Sequence, residues 1–154
     1  MSVNPLIQKL QYKDQGEAVL VLNPPQVYEE VIDQFKGEVH REVLHDSYPF
    51  VQVFGASNET VQSLARLGVT VLSEDGLLWL CYPKKTSKKY KSSDCSRESV
   101  AFLLGTEGFE PVRQIAIDED WSALRFRHVD RIKSMVREFA VTEKGKQRTI
   151  DNNE

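Results

Sequence analysis

Five of the eight residues from 84 to 91 are lysines (Lys84, Lys85, Lys88, Lys89 and Lys91), and no acid lies among them. Thr86 and Ser87 stand between the lysines, and Ser92, Ser93 and Ser96 follow closely. Ammonium groups and hydroxyl donors in one short segment make an anion contact, above all where a helix is about to begin and its free N–H groups favour negative charge. A phosphate loop of the form G-x-x-x-x-G-K-[ST] is absent. The competing reading is a solvated loop whose lysines serve solubility, because charge runs usually face water.

Other residue types offer less. Cys95 stands ahead of an expected helix and near the lysines, two features that lower a thiol's pKa and make it a candidate reactive thiol. No histidine is spaced to act as its base, and an incidental loop cysteine is the plainer reading. Cys81 lies within an apolar run and reads as a small buried hydrophobe. His40 and His45 are five apart, so on one strand they point to opposite faces and make a poor metal pair. No Cys-x-x-Cys accompanies them, and no metal is expected. Asp118, Glu119 and Asp120 lack the glycine and downstream glutamate of a calcium loop, and a hairpin turn is the better reading. Arg125 and Arg127 share a face by strand alternation. Trp121 could stack on one of them or on a base, or all three simply pack and solvate a sheet edge. No nucleophile, base and orienting group can be assembled into one set.

These residues sit in a chain of 154 residues, 40% hydrophobic and 28% charged, the size and make-up of one globular domain. A net charge of −3 argues against a generally basic, nucleic-acid-coating surface. That value averages an acidic body with one concentrated basic segment. No apolar run approaches the roughly 20 residues of a membrane-spanning helix, and no signal peptide or membrane association is expected. Two cysteines make no disulfide framework and suit a reducing compartment, so the expected location is the cytoplasm.

The elements that must position the candidates follow from apolar patterning. Glu17 to Leu22 is a continuous apolar run after its first residue, as suits a strand covered on both faces, and Asn23-Pro24-Pro25 ends it. Val27, Val31, Ile32 and Phe35 form a helical stripe that Gly37 can stop. Residues 38 to 44 read as a second strand and 49 to 54 as a third. Ser57 or Asn58 can cap a helix marked by Val61, Leu64, Ala65 and Leu67 and ended or bent near Gly68. Residues 69 to 73 favour a strand locally but read as an approach to a turn at Glu74-Asp75-Gly76. Leu77 to Tyr82 is the strongest apolar run and the expected central strand. Asp94 or Ser96 can cap a helix reaching about Glu107, with Gly108 past its end. Residues 112 to 117 and 121 to 127 form an antiparallel hairpin. Val129, Ile132, Val136 and Phe139 mark an amphipathic helix over 129–139, able to dock on the sheet or to serve oligomerisation. Residues 141 to 154 are expected to be disordered.

Alternating strands and helices predict a single Rossmann-like α/β domain over 1–140, with a mostly parallel sheet of about six strands and helices on its faces. Asp75-Gly76-Leu77-Leu78-Trp79-Leu80, followed by a Pro-Lys loop, a helix, Gly108-Phe109 and a closing hairpin, resembles the second half of class I methyltransferase domains. The resemblance implies the strand order 2-1-3-4-6-5. Those enzymes carry a glycine-rich cofactor turn after the first strand, and Asn23-Pro24-Pro25 departs from it. A second resemblance is carried by Gly76-Leu77-Leu78-Trp79, Tyr82-Pro83-Lys84-Lys85-Thr86-Ser87-Lys88, and the segments 111–118 and 121–127. Over roughly residues 76 to 127 these are similar to a family of small bacterial proteins of unknown function, which implies an architecture and no substrate or cofactor.

In open α/β sheets ligands bind at the carboxyl ends of strands, where the strand order reverses. That rule collects Asn23, Gly55, Ser57 and Asn58 from the first two loops, and Lys84, Lys85, Thr86, Ser87, Lys88 and Lys89 from the loop beside them. The leading expectation is a non-catalytic module binding an anionic ligand, either nucleotide-like or a nucleic acid. The alternatives are a divergent transferase that retains the methyltransferase-like sheet, and a scaffold or oligomer subunit using the 129–139 helix.

Overall fold

In the computed structural model, residues 5–14 and 16–132 are described. Six strands form one sheet: β1 (Val19–Leu22), β2 (Val39–His40), β3 (Tyr48–Phe54), β4 (Leu72–Pro83), β5 (Phe109–Ala116) and β6 (Trp121–His128). Their spatial order is β2-β1-β3-β4-β6-β5. β1 pairs in parallel with β2 and β3, and β3 with β4. β6 then runs antiparallel to both β4 and β5. The expected order, the parallel body and the closing hairpin are all present.

Helices cover both faces. Leu20 and Leu22 of β1 pack with Val51, Val53, Leu78, Leu80 and Leu124 in one core, beneath Val61 and Ala65 of α3 (Asn58–Thr70) and Val100 and Ala101 of α4 (Arg97–Ala101). Val19 and Val21 face the other core, with Phe50, Phe54, Trp79 and Trp121. Ile7 of α1 (Pro5–Lys9), and Tyr28 and Ile32 from the 3-10 turn Gln26–Tyr28 and α2 (Glu29–Ile32), close that side. This explains the unbroken apolar run of β1, since alternate residues enter opposite cores.

Several boundaries differ from the sequence expectation. The second strand is only Val39–His40, because the chain turns away at Arg41 and is held by Tyr48. α3 continues to Thr70 and β4 begins at Leu72, with the Glu74-Asp75-Gly76 segment inside the strand and Asp75 at φ 54°. The helix expected up to Glu107 ends at Ala101. Turns follow, and the Phe109 N–H bonds the Leu104 carbonyl while Gly108 adopts φ 86°. Of the 129–139 helix, Val129–Arg131 is a 3-10 turn. Its remainder and the 141–154 tail lie outside the described residues.

Caps agree with the sequence. Ser57 accepts from the Thr60 N–H at 3.1 Å, and Ser96 with Ser99 forms a reciprocal capping box. α1, which no patterning announced, is tied to the sheet by the Trp79 indole N–H, which donates to the Leu10 carbonyl at 3.0 Å.

Candidate functional site

The carboxyl ends of β1, β3 and β4 lie at one edge of the sheet, joined there by the start of β6. The strand order reverses between β1 and β3, the crevice that binds ligands in folds of this kind. Asn23 spans it. Its backbone takes φ 59°, a left-handed conformation that asparagine tolerates better than other non-glycine residues. Its side-chain N–H donates to the Phe54 carbonyl at 2.9 Å. Asparagine therefore supplies at this turn the backbone conformation that a glycine would, and adds a bond from loop to strand.

The neighbouring loop is equally engaged. The Gly55 N–H donates to the Cys81 carbonyl at 3.1 Å. Asn58 donates from its backbone N–H to the Asp94 carboxylate at 2.8 Å and from its side chain to the Asp94 carbonyl at 3.1 Å, and accepts from the Ser99 hydroxyl at 2.9 Å. Ser57 is occupied as the helix cap. Beneath them Tyr28 donates to Gln52 at 2.8 Å and Gln52 to the Cys81 sulfur at 3.4 Å, a polar chain inside the core. Burial pushes the Tyr28 hydroxyl and the Cys81 thiol far above their ordinary pKa values, so both stay protonated.

The lysine segment follows β4 directly. The Lys84 N–H bonds the Asp120 carbonyl at 2.8 Å, and the Ser87 hydroxyl donates to the Asp120 carboxylate at 2.7 Å while accepting from the Tyr90 N–H at 3.2 Å. Ser87 is thus a buried staple. Lys85, Thr86, Lys88, Lys89 and Lys91 are exposed and Lys84 is half-buried. Tyr90 packs edge-on against Trp121 with ring centroids 5.0 Å apart, and the Lys89 ammonium lies 5.6 Å from the Tyr90 ring centroid. Among the described residues no lysine of this segment forms an ion pair. The fold brings the Asp118–Asp120 connector beside the segment, which moderates its local charge. Asp118 accepts from the N–H groups of Asp120 and Trp121, both at 2.8 Å, and so shapes the hairpin turn.

Three smaller expectations change. Cys95 is 1% exposed, and burial raises its pKa, with the Asp94 carboxylate acting in the same direction; the lowering effects of the Ser93 hydroxyl and Lys85 do not overcome them. It is not an activated thiol. Iodoacetamide at neutral pH is therefore expected to leave native Cys81 and Cys95 unmodified while labelling both in urea, as read by mass spectrometry. Prompt labelling of native Cys95 would contradict its burial. Trp121 is buried, with Phe54 and Tyr90 against it, so it offers no face to a base. His40 and His45 do not diverge: the turn after β2 brings their rings to 4.6 Å, and His40 Nδ1 lies 2.7 Å from the Tyr48 hydroxyl. The described residues hold no group of three or more metal-ligating side chains. Nor is any described helix long and apolar enough to cross a membrane.

The sheet order and the position of its reversal decide the fold class. The domain is Rossmann-like. Solved structures similar to it include a protein of the NADB-Rossmann superfamily from Streptococcus agalactiae, with 11% identity over 83% of this chain and 69% of that one and a TM-score of 0.47. They also include the Methanococcus jannaschii fibrillarin pre-rRNA processing protein, with 10% identity over 75% and 67% and a TM-score of 0.49. The M1A22 tRNA methyltransferase of B. subtilis shows 9% identity over 82% and 67%, with a TM-score of 0.49. No family model matches the sequence, and no curated protein matches it.

Sequence reasoning gave Asp120 to a hairpin turn and Asp94 to a helix cap, and missed the long-range bonds of both. Asp120 anchors the lysine segment from 33 residues away, and Asp94 holds Asn58 from 36 residues away. Neither long-range bond has a local signature.

Proposed function

We propose that this protein is a non-catalytic module that binds the phosphate backbone of a nucleic acid through Lys84, Lys85, Lys88 and Lys89 at the carboxyl edge of its sheet. The observation that carries this reading is a set of lysines without carboxylate partners, on a loop whose backbone is pinned by Ser87 and Asp120. Pinning limits the backbone entropy lost when the lysines engage a ligand. An extended polyanion suits the exposed ammonium groups better than a free nucleotide does, because Asn23, Ser57 and Asn58 already spend their polar groups on one another's loops and caps.

The test is fluorescence anisotropy with labelled single-stranded and duplex oligonucleotides between about 50 and 200 mM salt. Wild-type affinity should fall linearly on a log–log plot. Replacing Lys84, Lys85, Lys88 and Lys89 together by glutamine should weaken binding by at least about tenfold at low salt. It should also flatten the slope by about 0.7 per lost contact on a single strand and about 0.9 on a duplex. Unchanged binding in the variant, with its far-UV spectrum intact, would overturn the reading. A response to ATP alone, with no oligonucleotide binding, would overturn the nucleic-acid assignment.

A further inference from the structure

The amino edge of the sheet, opposite the lysine segment, holds a cavity of about 380 Å³ whose lining includes Gln11, Tyr12, Pro49, Leu77 and Arg125. Arg125 reaches it because β6 alternates, putting Arg125 on the face that carries Trp121 and Ala123 and packs against α1. Gln11, just past α1, adopts φ 62°, a conformation that costs a non-glycine residue free energy and persists only where surrounding contacts enforce it. That backbone turn carries the Gln11 side-chain carbonyl to the Arg125 Nη1, which donates to it at 2.7 Å.

One neutral acceptor leaves the guanidinium poorly compensated. Its Nε is sealed from solvent and has no hydrogen-bond partner among the described residues. No described carboxylate pairs with it. Asp75, which also lines the cavity, gives both its oxygens to Arg127, at 2.7 and 2.6 Å. Burial, followed by the repulsion of Arg127, holds the Arg125 pKa below the ordinary guanidinium value, and the attraction of Asp75 does not overcome them. A cation drawn partly out of water without a hydrogen-bonded carboxylate is costly, and a bidentate anion entering from solvent relieves that cost.

We infer that this cavity binds a small monocarboxylate with an apolar body, its carboxylate paired with the Arg125 guanidinium. The volume lies near the lower end of the about 300–1,000 Å³ typical of small-molecule pockets. Tyr12, Pro49 and Leu77 offer apolar surface for the body of the ligand. Glu17 and Glu74 also line the cavity and, offset in part by Lys13, disfavour a dianion such as a phosphate monoester, although Glu74 is engaged with Arg131. The site is independent of the lysine segment.

The experiment is an NMR titration of the isotope-labelled full chain with benzoate, its neutral isostere benzamide, and phenyl phosphate. Benzoate should shift the Arg125 Nε–H signal and the amides of residues 11–13 and 75–77 saturably, while benzamide leaves them in place and phenyl phosphate binds more weakly. Arg125→Gln should weaken benzoate binding at least tenfold. Replacing the four lysines should not alter it, which separates this site from the nucleic-acid reading. The inference is overturned by equal shifts from benzamide, by an absence of shifts at the cavity, or by undiminished binding in Arg125→Gln. Phenyl phosphate binding as tightly as benzoate overturns the monoanion assignment. Should Arg125→Gln fail to fold, the benzoate–benzamide contrast on the wild-type chain decides alone.

Discussion

Trp79→Ala is expected to lower the unfolding free energy by about 3–5 kcal/mol, the range for removing a large aromatic from a packed core. Trp79 is fully buried in the middle of β4, flanked in register by Gln52 of β3 and Arg125 of β6. Its removal opens a cavity in the core that Ile7, Leu10, Phe50 and Phe54 share. It also leaves the Leu10 carbonyl without the indole N–H that it accepts from, so α1 loses one of its ties to the sheet. The two effects separate in Trp79→Phe, which retains most of the apolar fill and forfeits the hydrogen bond, at a cost of about 1–3 kcal/mol. Urea unfolding followed by far-UV circular dichroism measures both, with an unchanged slope marking a stability effect rather than a change in the unfolded state. A loss below about 1 kcal/mol for the alanine variant would mean that the core does not rest on this residue. Against a typical total of about 5–15 kcal/mol, the expected loss removes a large part of the domain's stability.

Gly55→Ala should be the most damaging methyl addition at the carboxyl edge. A Cβ at Gly55 would stand 2.8 Å from both the backbone nitrogen and a side-chain methyl of Val61, where the first turn of α3 meets the end of β3. The methyl can rotate away, but the backbone nitrogen cannot without moving the helix, so overpacking costs about 1–3 kcal/mol. The Gly55 N–H bond to the Cys81 carbonyl and the Asn58 bonds to Asp94 would be disturbed with it. The check is a thermal melt with Gly16→Ala as comparison. At Gly16 a Cβ meets nothing within 4 Å, and only the backbone conformation at φ 79° opposes it. A Gly55 variant as stable as wild type would show that α3 can shift freely at the candidate edge. The glycine's first duty is thus close packing of helix on strand, whatever ligand the edge carries.

Local pattern carried much of this fold. The unbroken apolar runs of β1 and β4 belong to strands covered on both faces, and the turn residues and caps at Ser57 and Ser96 mark where helices begin. The short connector after Ile117 makes β5 and β6 a hairpin. The mostly parallel sheet followed from the alternation of elements, and the strand order from the resemblance to class I methyltransferase domains. Boundaries were harder. β4 extends back to Leu72 through Asp75, whose left-handed backbone interrupts the strand pattern and which the Arg127 ion pair, 52 residues on, helps to hold.

The candidate sites divide the same way. The lysines of the 84–91 segment and their position at the carboxyl edge are legible in the sequence, because charge density and strand direction are local properties. That Ser87 is a buried staple on Asp120, that Cys95 is sealed and that Trp121 is covered by Phe54 and Tyr90 are decided by contacts between distant positions. The amino-edge cavity lies furthest from sequence reasoning: Arg125 and Gln11, 114 residues apart, look like a sheet arginine and a helix-end glutamine until the fold joins them. Spacing along the chain determines which face a residue takes. Only the assembled sheet, with α1 laid against it, decides which charges keep a partner and which are left waiting for one.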